Sequence, residues 1–251
     1  MIFLTMLIMG VVLGFAGTGG SGFIIGLLVA LFLIPIHTAL GTSIAAMVFT
    51  TLSGSISHLK EGNASLRTGL IVGLFGAGGA YGGTFISRGI EEQYLIWLTS
   101  GMLLLSGFLI WIRTRMKVSE EDAAAGREDI RKLGFWLSAG GTGVVTGLLS
   151  GVFGIGSTPF IQLGLLIFFG FSLRRAVGTT MIVIVPIALF GAIGFTQAGY
   201  LDGSLLLQVV AGTIIGSYIG AKFTKRAPRL LLRTAMIMTP VAGAVVMLIR
   251  H

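Results

Sequence analysis

The sequence predicts an all-α integral membrane protein, a polytopic helical bundle of two homologous, inverted repeats. Each repeat opens with a Gly-broken pair of half-helices, followed by three spanning helices. Three observations predict it: apolar runs of membrane-spanning length, an internal similarity between the two halves, and a one-sided distribution of Lys and Arg. Hydrophobic residues make up 54% of the 251 positions and charged residues only 10%, the balance of a chain that lives in lipid.

The apolar runs extend from Ile2 to Ile34, Thr38 to Ser57, Leu66 to Ser87, Tyr94 to Ile112, Leu133 to Phe171, Ala176 to Gln197, Leu205 to Ala221 and Leu230 to Ile249. Most suit one helical span of ~20 residues. The first and fifth are too long, and both carry a glycine-rich break near the middle: "GFAGTGGSGF" at 14–23 and "GVFGIGSTPF" at 151–160. The apolar pattern starts at once and continues to the last ten residues, so the N-terminal run is expected to belong to the fold rather than to a removable leader. The one strongly polar stretch, residues 113–132, reads as a linker in water between a first repeat, 1–112, and a second, 133–251.

Sliding the chain against itself by 137 residues aligns 14–83 with 151–220 at 20 identities in 70 positions, which a duplication explains. "ALGTS" (39–43) falls over "AVGTT" (176–180), Gly62 over Gly199, and "GAYGG" (79–83) over "GSYIG" (216–220). The spacing Gly79/Gly83 and Gly216/Gly220 suits close helix packing in lipid, within the chain or in a homodimer.

Positive charge decides the expected topology. If each broken segment crosses once, the 17 Lys and Arg divide 9 to 8 between the two sides; if each goes in and returns, 15 fall on one side and only Arg88 and Arg250 on the other. The second division obeys the positive-inside bias. It puts the linker in the cytoplasm, both termini outside, and the second repeat upside down relative to the first. The net charge of +8 then orients the chain and implies no nucleic-acid partner.

Non-helical backbone at membrane depth is tolerated only where protein or a water-filled cavity surrounds it, so the breaks are the candidate site. A helix restarting at Ser21 or Thr158 offers free N–H groups and the positive end of its dipole, a setting for an anion. The expected ligands are Thr18, Gly19, Gly20, Ser21 and Gly22 from the first break and Gly156, Ser157 and Thr158 from the second. Thr42, Ser43, Thr179 and Thr180 from the second repeated motif complete the set. The plainer reading is that the glycines only pack helices and the hydroxyls only bond back to their own backbone.

All nine carboxylates lie in predicted loops or at span ends, so none is placed as a buried proton relay. His58, near a span end, is the candidate for coupling. An anion needs no coupling to leave a cell, because 100 mV is worth ~2.3 kcal/mol per charge. Cys is absent, which excludes disulfides, thiolate metal sites and cysteine nucleophiles. No cofactor or metal is expected.

Taken together, "GFAGTGGSGF", "ALGTSIAA", "GSISHLKEGNASLRTG", "RRAVGTT" and "GAIGFTQAGYLD" resemble the sulfite exporter TauE/SafE family of membrane permeases over nearly the whole chain. The resemblance implies a permease, not an enzyme, that moves small sulfur oxyanions and organosulfonates such as sulfite and sulfoacetate across the bacterial cytoplasmic membrane. Ile155, Ser157 and Thr158 stand opposite Thr18, Gly20 and Ser21, so the two halves are not expected to contribute equally. The competing readings are an anion channel, an intramembrane serine protease using "GGSG" at 19–22 with His58 as base, and a purely structural protein.

Overall fold

The computed structural model describes residues 1–16, 21–115, 133–224 and 229–249, which form ten helices. In the first half these are α1 (Ile2–Ala16), α2 (Ser21–Ala30), α3 (Ile36–Lys60), α4 (Leu66–Arg88) and α5 (Glu92–Arg115). In the second they are α6 (Leu133–Phe153), α7 (Thr158–Phe169), α8 (Leu173–Gln197), α9 (Gly203–Thr224) and α10 (Arg229–Ile249). Five of them, α3, α4, α5, α6 and α8, are long and apolar enough to cross a membrane, since ~20 residues at 1.5 Å each reach the ~30 Å of a bilayer core. The chain is a multi-pass helical membrane protein. Thr18, Gly19 and Gly20, and the linker from residue 116 onward, lie outside the described residues.

α6 differs from the expected half-helix: its 21 residues make a full-length apolar helix. No proline interrupts it, and Gly143, Gly147 and Gly151 are seated against a neighbour. A Cβ on Gly147 would overlap the Gly76 carbonyl of α4, and one on Gly151 would overlap the Ala80 carbonyl. The reverse contacts come from Gly79 and Gly83, whose missing side chains admit the Val144 and Leu148 carbonyls. α1 and α9 cross in the same way, with Gly216 against Leu7 and Gly10 against Thr213. Such backbone-to-backbone crossings let dispersion contacts hold helices that no hydrophobic effect drives together in lipid.

Both broken segments go out and return. Phe135 at the start of α6 and Phe169 at the end of α7 meet edge to face with centroids 5.4 Å apart, and Gly164 of α7 abuts Thr142 of α6. Ile2 at the start of α1 and Ile34 beyond the end of α2 line one cavity. A continuous helix would separate either pair by some tens of Å.

Local hydrogen bonding repeats at an offset of 137 residues. Ile34 N–H donates to Leu28 C=O at 3.0 Å and Phe171 N–H to Leu165 C=O at 3.2 Å. Asn63 N–H donates to His58 C=O, and Tyr200 N–H to Phe195 C=O, both at 3.0 Å. Gly62 and Gly199 stand at φ +69° and +77° just after α3 and α8, the left-handed closure that glycine gives a helix end. Around this core, Leu70, Leu74, Phe108, Leu137, Val145 and Leu207 are exposed and form part of the apolar belt that faces the lipid.

Candidate functional site

The chain leaves α6 through Gly154 and Gly156, both at φ +64°, and enters α7 through Ser157 at φ +46°. A left-handed conformation on a non-glycine residue costs about 1 kcal/mol or more, so Ser157 is held there by its surroundings. It occupies the N-cap position of α7 yet makes no capping bond. Its Oγ is buried, with no hydrogen-bond partner. The first N–H groups of α7 have no intrahelical acceptor, and Pro159 contributes none of its own.

The restart of α2 lies against this turn. Ser21 is 3% exposed, and its Oγ is 3.8 Å from the point where a Cβ on Gly156 would stand. The Met47 side chain presses on that same point, its Sδ at 2.8 Å. The next glycine, Gly22, is pressed by Leu103 of α5. The start of α2 and the turn before α7, far apart in sequence, thus share one space in the interior.

α3 supplies the wall. Leu40 abuts Gly154 and Met47 abuts Gly156. Residues 40, 43 and 47 lie on one helix face, so Ser43 stands between these contacts; it is buried with an unpartnered Oγ. Thr42, one residue and about 100° around the helix, is turned away from that face. It too is buried and unpartnered.

The structure therefore brings together Ser21, Ser43, Gly156 and Ser157, with Thr158 half-buried at the start of α7. The remaining described candidates are placed elsewhere or already bonded. Thr179 Oγ1 accepts the Ser65 N–H at 3.0 Å, and Thr180 donates to the Ala176 carbonyl at 2.7 Å. His58 lies eleven residues beyond Met47, about 16 Å along α3, too far to serve as a base for Ser21. Its Nδ1 is buried without a partner and its Cβ packs on Gly178.

The buried polar groups absent from the sequence-level candidates include Gln162 and His37. Gln162, one turn into α7, is 4% exposed with an unpartnered Oε1; an amide inside the apolar run "PFIQLGLL" is the signal that marks it. His37 is 5% exposed, donates from Nε2 to the Ser87 carbonyl at 2.9 Å and stacks on Tyr200 at 4.8 Å. Its Nδ1 faces Glu92 at 3.7 Å. That cluster ties the start of α3 to the end of α4, the start of α5 and the α8–α9 turn.

Unpartnered, buried Ser43 and Ser157 hydroxyls thus lie where the start of α2 meets the turn before α7. The family model described as sulfite exporter TauE/SafE matches residues 2–247. The chain belongs to the TauE/SafE family. A relative from Bacillus subtilis (strain 168), named a probable membrane transporter protein YdhB, is 47% identical over 248 residues, covering 99% of both chains. A probable membrane transporter protein of Xylella fastidiosa (strain 9a5c) is 26% identical over 222 residues, 87% of this chain and 82% of its own. Another from Bacillus subtilis (strain 168), YunE, is 23% identical over 198 residues, 76% and 72% of the two chains. No solved structure matches the chain. The TauE/SafE relationship covers both hairpins, so the site lies inside the shared region.

Proposed function

We propose that the protein is a transporter, working as an exporter, of small sulfur oxyanions such as sulfite or organosulfonates. The anion is held where the two hairpin tips meet. The observation that carries this reading is the Ser157 hydroxyl, buried and unpartnered at the start of α7, one residue from the glycine that faces Ser21. A buried donor without a partner is costly unless a ligand satisfies it, and a helix start with free N–H groups favours an anion. Ser21 and Ser43 supply further hydroxyls, Thr158 lies at the helix start, and Gly22 and Gly156 let backbone approach. The family description supplies the sulfur chemistry.

On this reading residues 1–112 and 133–251 are inverted repeats joined by a cytoplasmic linker, 113–132, in the bacterial inner membrane, with both termini outside. The recurring hydrogen bonds and the crossed pairs α1–α9 and α4–α6 support the duplication. The charge distribution supports the orientation. Gly79 and Gly83 are covered by α6, so a homodimer would use another face.

The test is charge movement in proteoliposomes on a solid-supported membrane, with jumps of sulfite, sulfoacetate, sulfate and chloride. A saturable current restricted to sulfite and organosulfonates is expected. A non-saturating current carried equally by chloride would make the protein a channel.

A further inference from the structure

Ser65 and Asp202 hold the same place in the two halves, and the structure treats them differently. Each precedes a long helix and caps it. Ser65 Oγ accepts the Thr68 N–H at 3.4 Å, and Asp202 Oδ1 accepts the N–H groups of Ser204 at 2.8 Å and Leu205 at 3.1 Å. Ser65 is buried, and its own N–H is bonded to Thr179 Oγ1 on α8 at 3.0 Å. Asp202 is exposed and lines a cavity of about 400 Å³ together with Thr38, Ser204 and Leu205.

Thr42 stands to Asp202 as Thr179 stands to Ser65, by the same 137-residue offset. It lies one helical turn beyond Thr38, on the same face of α3, and its buried Oγ1 has no partner. The acceptor for a second, matching bond is therefore in place and unused. Side-chain size agrees: beside the closed joint, Gly69 of α4 is pressed by Ile182 of α8, with 2.8 Å from a would-be Cβ to Ile182 Cβ. At the open joint the corresponding residues are Leu206 on α9 and Ala45 on α3, large against small in the reverse order.

We propose that these two joints are alternating gates. The structure is open at the Asp202 face and closed at the Ser65 face; in the other state Asp202 N–H seats on Thr42 Oγ1 while Ser65 leaves Thr179. The proposal rests on the transporter reading and adds the moving contacts. A bound anion exposed alternately through two such joints crosses without a continuous pore.

The chain has no cysteine, so single thiols report accessibility cleanly. Ser204→Cys, at an exposed position lining the cavity, probes the open joint and Thr68→Cys, at a buried one, the closed joint, each labelled from either side with a membrane-impermeant maleimide and no anion present. Ser204→Cys is expected to label from the Asp202 face and Thr68→Cys to be protected. Adding Thr179→Val, which deletes the closing acceptor, is expected to raise Thr68→Cys labelling from the Ser65 face about five-fold, the weight of one hydrogen bond, and to lower Ser204→Cys labelling. Thr179→Ser keeps the acceptor and is expected to restore both rates. Unchanged rates, or a rise at both probes together, would overturn the gate. Anion flux is read separately. Shifted labelling without sulfite flux keeps the gate and removes the substrate assignment; sulfite flux with unmoved labelling does the reverse.

Discussion

Ser21 Oγ lies 3.8 Å from the point where a Cβ on Gly156 would stand, so the start of α2 and the turn before α7 meet in the interior. The contact requires position 156 to be glycine on two counts, its φ of +64° and the Met47 side chain that fills the space beside it.

Gly156→Ala is accordingly expected to abolish sulfite binding and to lower the midpoint of thermal unfolding, with a backbone cost of about 1–2 kcal/mol added to the clash. Adding Met47→Ala should recover part of the midpoint but not the binding. Gly141→Ala, on α6 with nothing within 4 Å of the added carbon, should leave both unchanged. Detergent-solubilised thermal unfolding with and without sulfite measures all three.

Ser43 and Thr180 are repeat counterparts with different surroundings. Thr180 spends its hydroxyl on the Ala176 carbonyl, whereas Ser43 keeps a buried, unbonded one on the face that meets the second break. Ser43→Ala is expected to weaken sulfite affinity by roughly ten-fold, the loss of one hydrogen bond to a charged group. Thr180→Ala should change it by less than about two-fold. Isothermal titration of the two variants separates them.

The α4–α6 crossing predicts stability. A Cβ on Gly147 would overlap the Gly76 carbonyl, and backbone cannot swing aside as a side chain does. Gly147→Ala should cost about 3 kcal/mol or more and be seen as loss of folded protein on size-exclusion chromatography. Gly140→Ala, with nothing within 4 Å, should behave as the parent protein.

Much of this architecture is legible in the sequence. Spanning segments follow from run length, and the Lys and Arg counts favour the hairpin form of the broken segments, whereas the full length of α6 was not legible. Residue types also located the breaks. The sequence did not show which hydroxyls stay free, because Ser and Thr in a helix choose between their own carbonyls and a neighbour according to packing. Thr179 and Thr42 are aligned and identical, yet one is bonded across the bundle and the other is not. Nor did composition flag His37, whose role depends on Ser87, Glu92 and Tyr200 arriving from three other places in the chain.

That His37 cluster makes a separate prediction. His37→Ala removes a buried hydrogen bond and a ring stack at the end of the bundle, and should destabilise by about 1–3 kcal/mol. Sulfite affinity should persist, because the cluster lies near the start of α3, about ten residues or 15 Å from Met47. Thermal unfolding followed with and without sulfite checks both halves of the statement.

The central claim is that the anion sits between the hairpin tips, and Ser157→Ala tests it most directly. The substitution removes a buried hydroxyl that bonds to nothing in the protein, so folding should be unaffected or slightly improved. Sulfite-jump currents in proteoliposomes should then show a half-saturation concentration raised about ten-fold, the weight of one charge-assisted hydrogen bond. An unchanged half-saturation in a variant of unchanged thermal stability would place the anion elsewhere and contradict the account.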